Sequence, residues 1–392
     1  MPRILVSPSE FSISNEDYGK TFNLLDNLRG PDLRIDAYVS HCDGEISSDT
    51  LHVHEMAASN RLQYYSQSFR VARRELNAGS VDLYHHMNLS YRWFNPLLIA
   101  GLHGDTPVVV GPCQAGHAIM DEEFNRMVSH AVGRDLSRKL TDPLYTGINA
   151  IRDFGVDPLR KALFVKTLEA ADRIVVVHEH AKEEYAKFVD TSKLRVVPLG
   201  VNPDEFEYQE RGASKSLVAI GSLRERKGYD VLLDAVALLR RTDPGVTLHI
   251  FGQGPQETAL RQQATELGIE DNVRFHGFVD QSTLKQHLAD ARAFVHPSRS
   301  ESFSLVRLEA MANGCPVVVS DIDGADEMVR NGTDGFVVPR EDPAAIAERA
   351  RELLSDTEKA REMGRAARER VEEKYDWKKI GQQYVNIYRS LL

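Results

Sequence analysis

Six short apolar runs in the second half of the chain constrain it most: SLVAIG (216–221), TLHIFG (247–252), VRFHG (273–277), RAFVH (292–296), PVVVS (316–320) and GFVVP (335–339). Each has the length of a buried strand. The stretches between them carry apolar residues at three-to-four spacing, as at Val231, Leu232, Ala235 and Leu238, and again at Leu305, Leu308 and Met311. Strands alternating with amphipathic helices imply a parallel sheet covered by helices on both faces. Ligands of such sheets bind outside the carboxyl ends of the strands, so the loops that follow the runs are where chemistry belongs.

The first half is less regular. Strand candidates are RILVS (3–7), LRIDAYVS (33–40), VDLYH (81–85), TPVVVG (106–111), RIVVVH (173–178) and LRVVP (194–198), interrupted by a long helical insertion at about 118–170. Gly200 to Lys215, with few apolar residues, reads as the linker. The expectation is an α/β chain of two doubly wound domains, 1–199 and 200–376, facing a central cleft. Trp377–Leu392 forms a separate amphipathic helix with nothing after it to pack on. The length of 392 residues agrees, at about 100–200 residues per domain.

Composition removes several classes. Hydrophobic residues at 42% and charged residues at 27% exclude a disordered or fibrous chain. No apolar run approaches the roughly 18 residues of a membrane span. Met1 to Val6, broken by Ser7-Pro8, reads as a first strand rather than a signal peptide. Cys42, Cys113 and Cys315 are odd in number and far apart, which predicts reduced thiols in a cytoplasmic protein. The net charge of −10 argues against nucleic acid as a partner.

The strongest chemical signal is Pro297-Ser298-Arg299-Ser300-Glu301-Ser302-Phe303-Ser304-Leu305, running into Val306-Arg307-Leu308-Glu309-Ala310-Met311. A strand ends at His296, a polar loop follows, and a helix starts near Ser304. The free amides of such a start, with the positive end of the helix dipole, suit a phosphate. Glu301 stands just before those amides, and Glu309 lies about five residues into the helix, roughly 7 Å along it. Two carboxylates bracketing an anion site can each accept hydroxyl hydrogen bonds from sugars on either side of a diphosphate. A helix cap and a solvated Glu account for the same letters. A second signal is Ile220-Gly221-Ser222-Leu223-Arg224-Glu225-Arg226-Lys227-Gly228, a basic loop after a strand. Its cations would neutralise a diphosphate leaving group, and a solvated loop is the bland alternative.

Together these motifs resemble the retaining, two-Rossmann-domain (GT-B) glycosyltransferases of family four. The match from PSRSESFSLVRLEAMANGCPVVVS to DIDGADEMVRNGTDGFVVP is the most specific part, and the resemblance covers nearly all of 195–376. It implies that Glu301 contacts the transferring sugar, that Glu309 binds the ribose, and that the amides of Phe303, Ser304 and Leu305 hold the diphosphate together with Lys227. The family usually has Gly where Ser302 and Ser304 stand, and a positive φ would strain serine there. The family also commonly has Arg at Ser222, so Arg224 or Arg226 is expected to supply the second cation. Gly252 and Gly254 match a turn lining the nucleotide cleft, and Val279 lies in the loop whose backbone contacts the base. Gly19 matches a glycine loop against the donor phosphates, and His117 is the candidate histidine touching the sugar. The terminal helix resembles the family's last helix, which crosses back onto the first domain.

His52/His54 and His85/His86 have no third ligand at recognisable spacing and read as strand and loop histidines rather than a metal site. The class typically uses no metal for its chemistry, and no cofactor is expected. The segment 133–166 interleaves basic residues with Tyr145, Phe154 and Phe164, a pattern that fits peripheral contact with an anionic membrane and equally a plain helical cover. The resemblance implies transfer of a hexose from a UDP- or GDP-sugar to a glycan, lipid or small-molecule acceptor, in the cytoplasm or at the inner face of the membrane. Synthesis of a free disaccharide or its phosphate, and a catalytically silent nucleotide-sugar-binding subunit, are the alternatives.

Overall fold

The computed structural model of the chain describes residues 1–8, 20–28, 30–39, 50–59, 61–87, 95–114, 157–208 and 212–392. The chain divides into two compact units: Met1–Leu199 with Trp377–Leu392, and Gly200–Asp376.

The second unit is a six-stranded parallel sheet. Its strands are β8 (Ser216–Ile220), β9 (Thr247–Phe251), β10 (Val273–Gly277), β11 (Ala293–His296), β12 (Val317–Ser320) and β13 (Gly335–Val338), in the order β10-β9-β8-β11-β12-β13. All neighbours are parallel, with β8 paired to β9 on one side and to β11 on the other. Each run identified in the sequence is a strand here, and helices fill the crossovers. Helix Tyr229–Arg240 buries Leu232, Leu233, Ala235, Val236 and Leu239 against the sheet; Leu239, rather than the expected Leu238, is the fully buried residue of its last turn. The stretch read as a linker is partly built into this unit. Val201 bridges to Asp376, Phe206 is buried, and Arg368 donates to the carbonyls of Pro203 and Phe206.

The first unit has a seven-stranded parallel sheet in the order β3-β2-β1-β4-β5-β6-β7. The strands are β1 (Arg3–Val6), β2 (Arg34–Val39), β3 (Leu51–Glu55), β4 (Leu83–His86), β5 (Val108–Cys113), β6 (Arg173–Val176) and β7 (Leu194–Val196). The edge strand β3 is the one element of this sheet missing from the strand candidates, and it carries His52 and His54, in keeping with their reading as strand and loop histidines. In the sheet, His54 Nε2 lies 2.8 Å from the buried carboxylate of Asp36 on β2. Burial works to raise the Asp36 pKa, but His54, Arg3 and Arg34 together hold it down at about 2.

The terminal helix Trp377–Arg389 does have a surface to pack on. Its apolar face, with Trp377, Ile380, Tyr384, Val385 and Tyr388, is buried in the first unit. A Cβ on Gly381 would lie 1.9 Å from the carbonyl oxygen of Asn27, so glycine is what allows this helix to touch helix Lys20–Asn27. His85 on β4 anchors the far end: its Nε2 is 2.8 Å from the Gly111 carbonyl and its Nδ1 is 2.7 Å from the Tyr388 hydroxyl. A carbonyl only accepts, so Nε2 carries the proton and Tyr388 donates to Nδ1. Burial holds this imidazole neutral, with a pKa lowered to about 4.

Candidate active site

In a doubly wound sheet the ligand crevice opens where the strand order reverses. In the second unit that point lies between β8 and β11, and the two loops singled out in the sequence leave from these strands. Gly228, with φ of 65°, ends the one-turn helix Glu225–Lys227. A Cβ there would lie 2.1 Å from the carbonyl oxygen of Pro297, so only glycine lets the turn after β8 close on the residue that follows β11. The closure sets Lys227 against Glu301: Nζ forms an ion pair with Oε2, and both side chains are largely withdrawn from water. Arg226 Nη1 lies 3.6 Å from the same oxygen and donates to the Ser300 carbonyl at 3.4 Å. Of the two arginines offered by the sequence, Arg226 therefore stands beside Glu301, while Arg224 caps the short helix. Ser222 lies in the turn before it, half-buried. Burial draws the Lys227 pKa below the usual lysine range, and Glu301 pulls it back up.

Helix Leu305–Ala312 begins beside this pair. Ser304 is its N-cap, with φ of −100° and ψ of 100°, and its side chain makes no capping hydrogen bond. The Ser304 hydroxyl is buried without a hydrogen-bond partner among the described residues. Neither Ser302 nor Ser304 has a positive φ; among the described non-glycine residues only Glu341 does. The loop thus follows a path that serine adopts without strain, and the substitution of the family's glycines costs no backbone energy here. Phe303 is buried and Leu305 half-buried at the same helix start.

Glu309 is buried on this helix, and burial raises its pKa to about 7, with Lys285 opposing and Glu205 adding to the rise. A carboxyl kept out of water without a full counter-charge costs stability. Such a cost is characteristic of groups retained for binding.

Three successive turns meet at the carboxyl ends of β8, β9 and β10. Gly252 has φ of 133°, and a Cβ on it would lie 2.0 Å from the Gly221 carbonyl oxygen. One on Gly254 would lie 2.3 Å from that of Leu223. Gly252 N–H donates to the Gly277 carbonyl at 2.8 Å, which joins the turn to the loop carrying half-buried Val279 and exposed Phe278.

Two neighbours of Glu301 escaped the sequence reading. His296 ends β11, and Arg307 is buried on helix Leu305–Ala312 with Nη2 3.2 Å from His296 Nδ1. A guanidinium only donates, so Nδ1 accepts and Nε2 carries the proton, facing Ser298 Oγ at 3.0 Å and Glu301 Oε2 at 3.9 Å. Burial, then Lys227, Arg307 and Arg226, push the His296 pKa well below its ordinary value. Burial lowers Arg307 to about 10, with Glu301 opposing. The available signal was an arginine on the apolar face of SLVRLEAMA. Gly19 and His117 lie outside the described residues, as does 133–156 of the basic segment; its end forms helix Asp157–Glu169. His86 Nδ1 is 3.0 Å from the Asn95 side-chain amide, while its Nε2 is buried without a hydrogen-bond partner among the described residues.

Fold and site define a Rossmann-type unit with a carboxylate, two cations and a helix start gathered at its switch point. Residues 201–370, within this unit, match the family model of glycosyl transferases group 1. A glycogen synthase of Mycobacterium tuberculosis is 34% identical over 200 residues, 50% of this chain and 48% of that one. A GDP-mannose-dependent alpha-(1-6)-phosphatidylinositol monomannoside mannosyltransferase of the same organism is 30% identical over 252 residues, 59% of this chain and 66% of that one. The chain thus spans about half to two thirds of the length of these relatives. Among solved structures, a sucrose-phosphate synthase from Thermosynechococcus elongatus has the same fold over 100% of this chain and 98% of its own, with a TM-score of 0.69 at 20% identity. Among the described residues no helix is long and apolar enough to cross a membrane.

Proposed function

We propose that the chain is a retaining glycosyltransferase that moves a hexose from a UDP- or GDP-sugar to an acceptor hydroxyl in glycolipid, polysaccharide or glycan assembly. One observation carries this reading: Glu301 and Lys227 pair at the switch point, beside a helix start whose Ser304 hydroxyl is buried and unpartnered among the described residues. The donor diphosphate takes the amides of Phe303, Ser304 and Leu305. Lys227 turns from Glu301 to the diphosphate as negative charge develops there, with Arg226 as the second cation. Released from Lys227, Glu301 accepts a hydroxyl of the transferring sugar, and Glu309 accepts the ribose hydroxyls. The acceptor oxygen bonds to the anomeric carbon on the face from which the diphosphate departs. The breaking C–O bond leaves its electron pair on the diphosphate, which takes the acceptor's proton. In this scheme Lys227 and Arg226 supply the positive charge that neutralises the leaving group, and no metal is invoked.

We assign the acceptor to the first unit and the donor to the second. The lipid acceptor in the mannosyltransferase relative's name supports peripheral membrane contact through 133–166. Cys113 and Cys315, both buried and in no disulfide among the described residues, support a reducing, cytoplasmic setting. The test is steady-state kinetics with a panel of UDP- and GDP-hexoses. Glu309→Ala is expected to raise the donor KM and leave kcat nearly unchanged, because ribose contacts persist from ground to transition state; Lys227→Ala is expected to lower kcat. Failure of every nucleotide sugar to bind, or equal loss of both parameters in both variants, would overturn this assignment.

A further inference from the structure

Three histidines that the sequence does not group meet in the second unit, on the β9–β10 side of the sheet rather than at the β8–β11 switch point. His249 lies on β9, His276 on β10 and His287 on helix Gln281–Asp290, its ring 4.9 Å from that of His249 and 5.1 Å from that of His276, centroid to centroid. All three are half-buried, and one ring nitrogen from each lies within 4.8 Å of the other two. His249 Nδ1 and His276 Nε2 are 2.8 Å apart. Phe251 stacks on His276 with ring centroids 4.4 Å apart and tilts against His287 at 4.9 Å, so an aromatic wall backs the group on one side.

We propose that His249, His276 and His287 form a three-histidine site for a divalent transition metal, with Zn2+ as the ion of choice. The argument is chemical. A hydrogen bond between two imidazoles uses one proton and one lone pair, and it leaves the third converging nitrogen to face them. A metal ion takes all three lone pairs at once. Zinc–nitrogen bonds of about 2.0–2.1 Å set ligand nitrogens about 3.4 Å apart in a tetrahedron. The 2.8 Å contact needs only to open slightly, and the spread of up to 4.8 Å to close, through side-chain rotation of half-buried rings. Imidazole donors without thiolate favour Zn2+, Cu2+ or Ni2+ over Mg2+ or Ca2+. Three protein ligands leave a fourth position for water. The site is not a substitute for the cations at Glu301. It ties helix Gln281–Asp290 to the two strands that lead into the Gly252–Gly254 turn and Gly277. Its occupant therefore acts on the rigidity of the nucleotide-facing turns rather than on the transferring group.

Equilibrium dialysis of the full chain, freed of any affinity tag, against Zn2+ alone tests this independently of glycosyl transfer. One Zn2+ per chain is expected, and His249→Gln, His276→Gln and His287→Gln should each weaken binding by at least about tenfold. The double variant His52→Gln/His54→Gln is expected to bind as the parent does. Co2+ in place of Zn2+ should give the strong visible absorption of a four-coordinate ion, lost in His276→Gln. Circular dichroism of each metal-free variant checks its fold, and His287→Phe, which keeps an aromatic ring in the packing, stands in for any variant that fails it. No retained Zn2+, or retention insensitive to all three histidines, would overturn the proposal.

Discussion

The buried carboxyl of Glu309 gives the sharpest test of the site, because it links stability, pH and binding in one residue. In the folded chain its pKa is raised to about 7 from an ordinary 4.5. At about 1.4 kcal/mol for each tenfold change in proton affinity, ionising this group in place costs about 3 kcal/mol. The sign follows from proton binding. Between pH 4.5 and 7 the folded chain holds a proton that the unfolded chain has lost. The penalty is therefore absent below pH 4.5, grows across this window and is complete above 7. Glu309→Gln keeps the shape and removes the ionisation. Relative to the parent, its second-unit transition is expected to be raised by about 3 kcal/mol at pH 8, or roughly 6–12 °C for a unit of this size, and to be nearly unchanged at pH 4.5. Differential scanning calorimetry of both proteins across that range provides the measurement. The same variant should bind donor nucleotide less well, since an amide offers one acceptor where the carboxylate offers two. A difference in melting temperature that does not change with pH, or a variant less stable at pH 8, would refute the assignment of the penalty to Glu309.

The remaining expectations concern packing in each unit. Gly254→Ala places a methyl group 2.3 Å from the Leu223 carbonyl oxygen, so the turn must lift off. Urea unfolding should show a loss of roughly 2–4 kcal/mol and nucleotide titration a weaker affinity; no change in either would show that the turn tolerates the methyl. Tyr388→Phe removes the donor to His85 Nδ1 and leaves a buried acceptor unpaired. A loss of about 1–3 kcal/mol is expected in the first unit's transition, with the second unit's unaffected. His85 itself, with a pKa of about 4 against an ordinary 6.5, is neutral when folded and takes up a proton on unfolding. The first unit should therefore lose stability as pH falls from 6.5 towards 4, and His85→Gln should flatten that slope in melting experiments.

By itself the sequence determined the parallel sheet of the second unit, because strands buried on both faces must be apolar throughout and their crossovers must be amphipathic helices. It also singled out the loops carrying Lys227 and Glu301 and the helix carrying Glu309, since a polar loop between a strand and a helix start leaves a local signature. Strand β3 stayed hidden because an edge strand faces the core on one side only, so its LHVHE run lacks the continuous apolar stretch of the buried strands. The terminal helix showed its apolar stripe but not its partner. That partner depends on the close approach of Gly381 to Asn27, residues more than three hundred positions apart. Only the tertiary structure decided that Arg226 is the arginine beside Glu301, that Ser302 and Ser304 occupy their loop without strain, and that His296 and Arg307 support the site from beneath. The same holds for His249, His276 and His287. They belong to two strands and a helix whose spacing in the chain carries no ligand pattern, and only pairing β9 with β10 under one helix brings their nitrogens together. Periodicity and capping are local and can be read along a chain; convergence of side chains from separate elements is a property of the packed sheet.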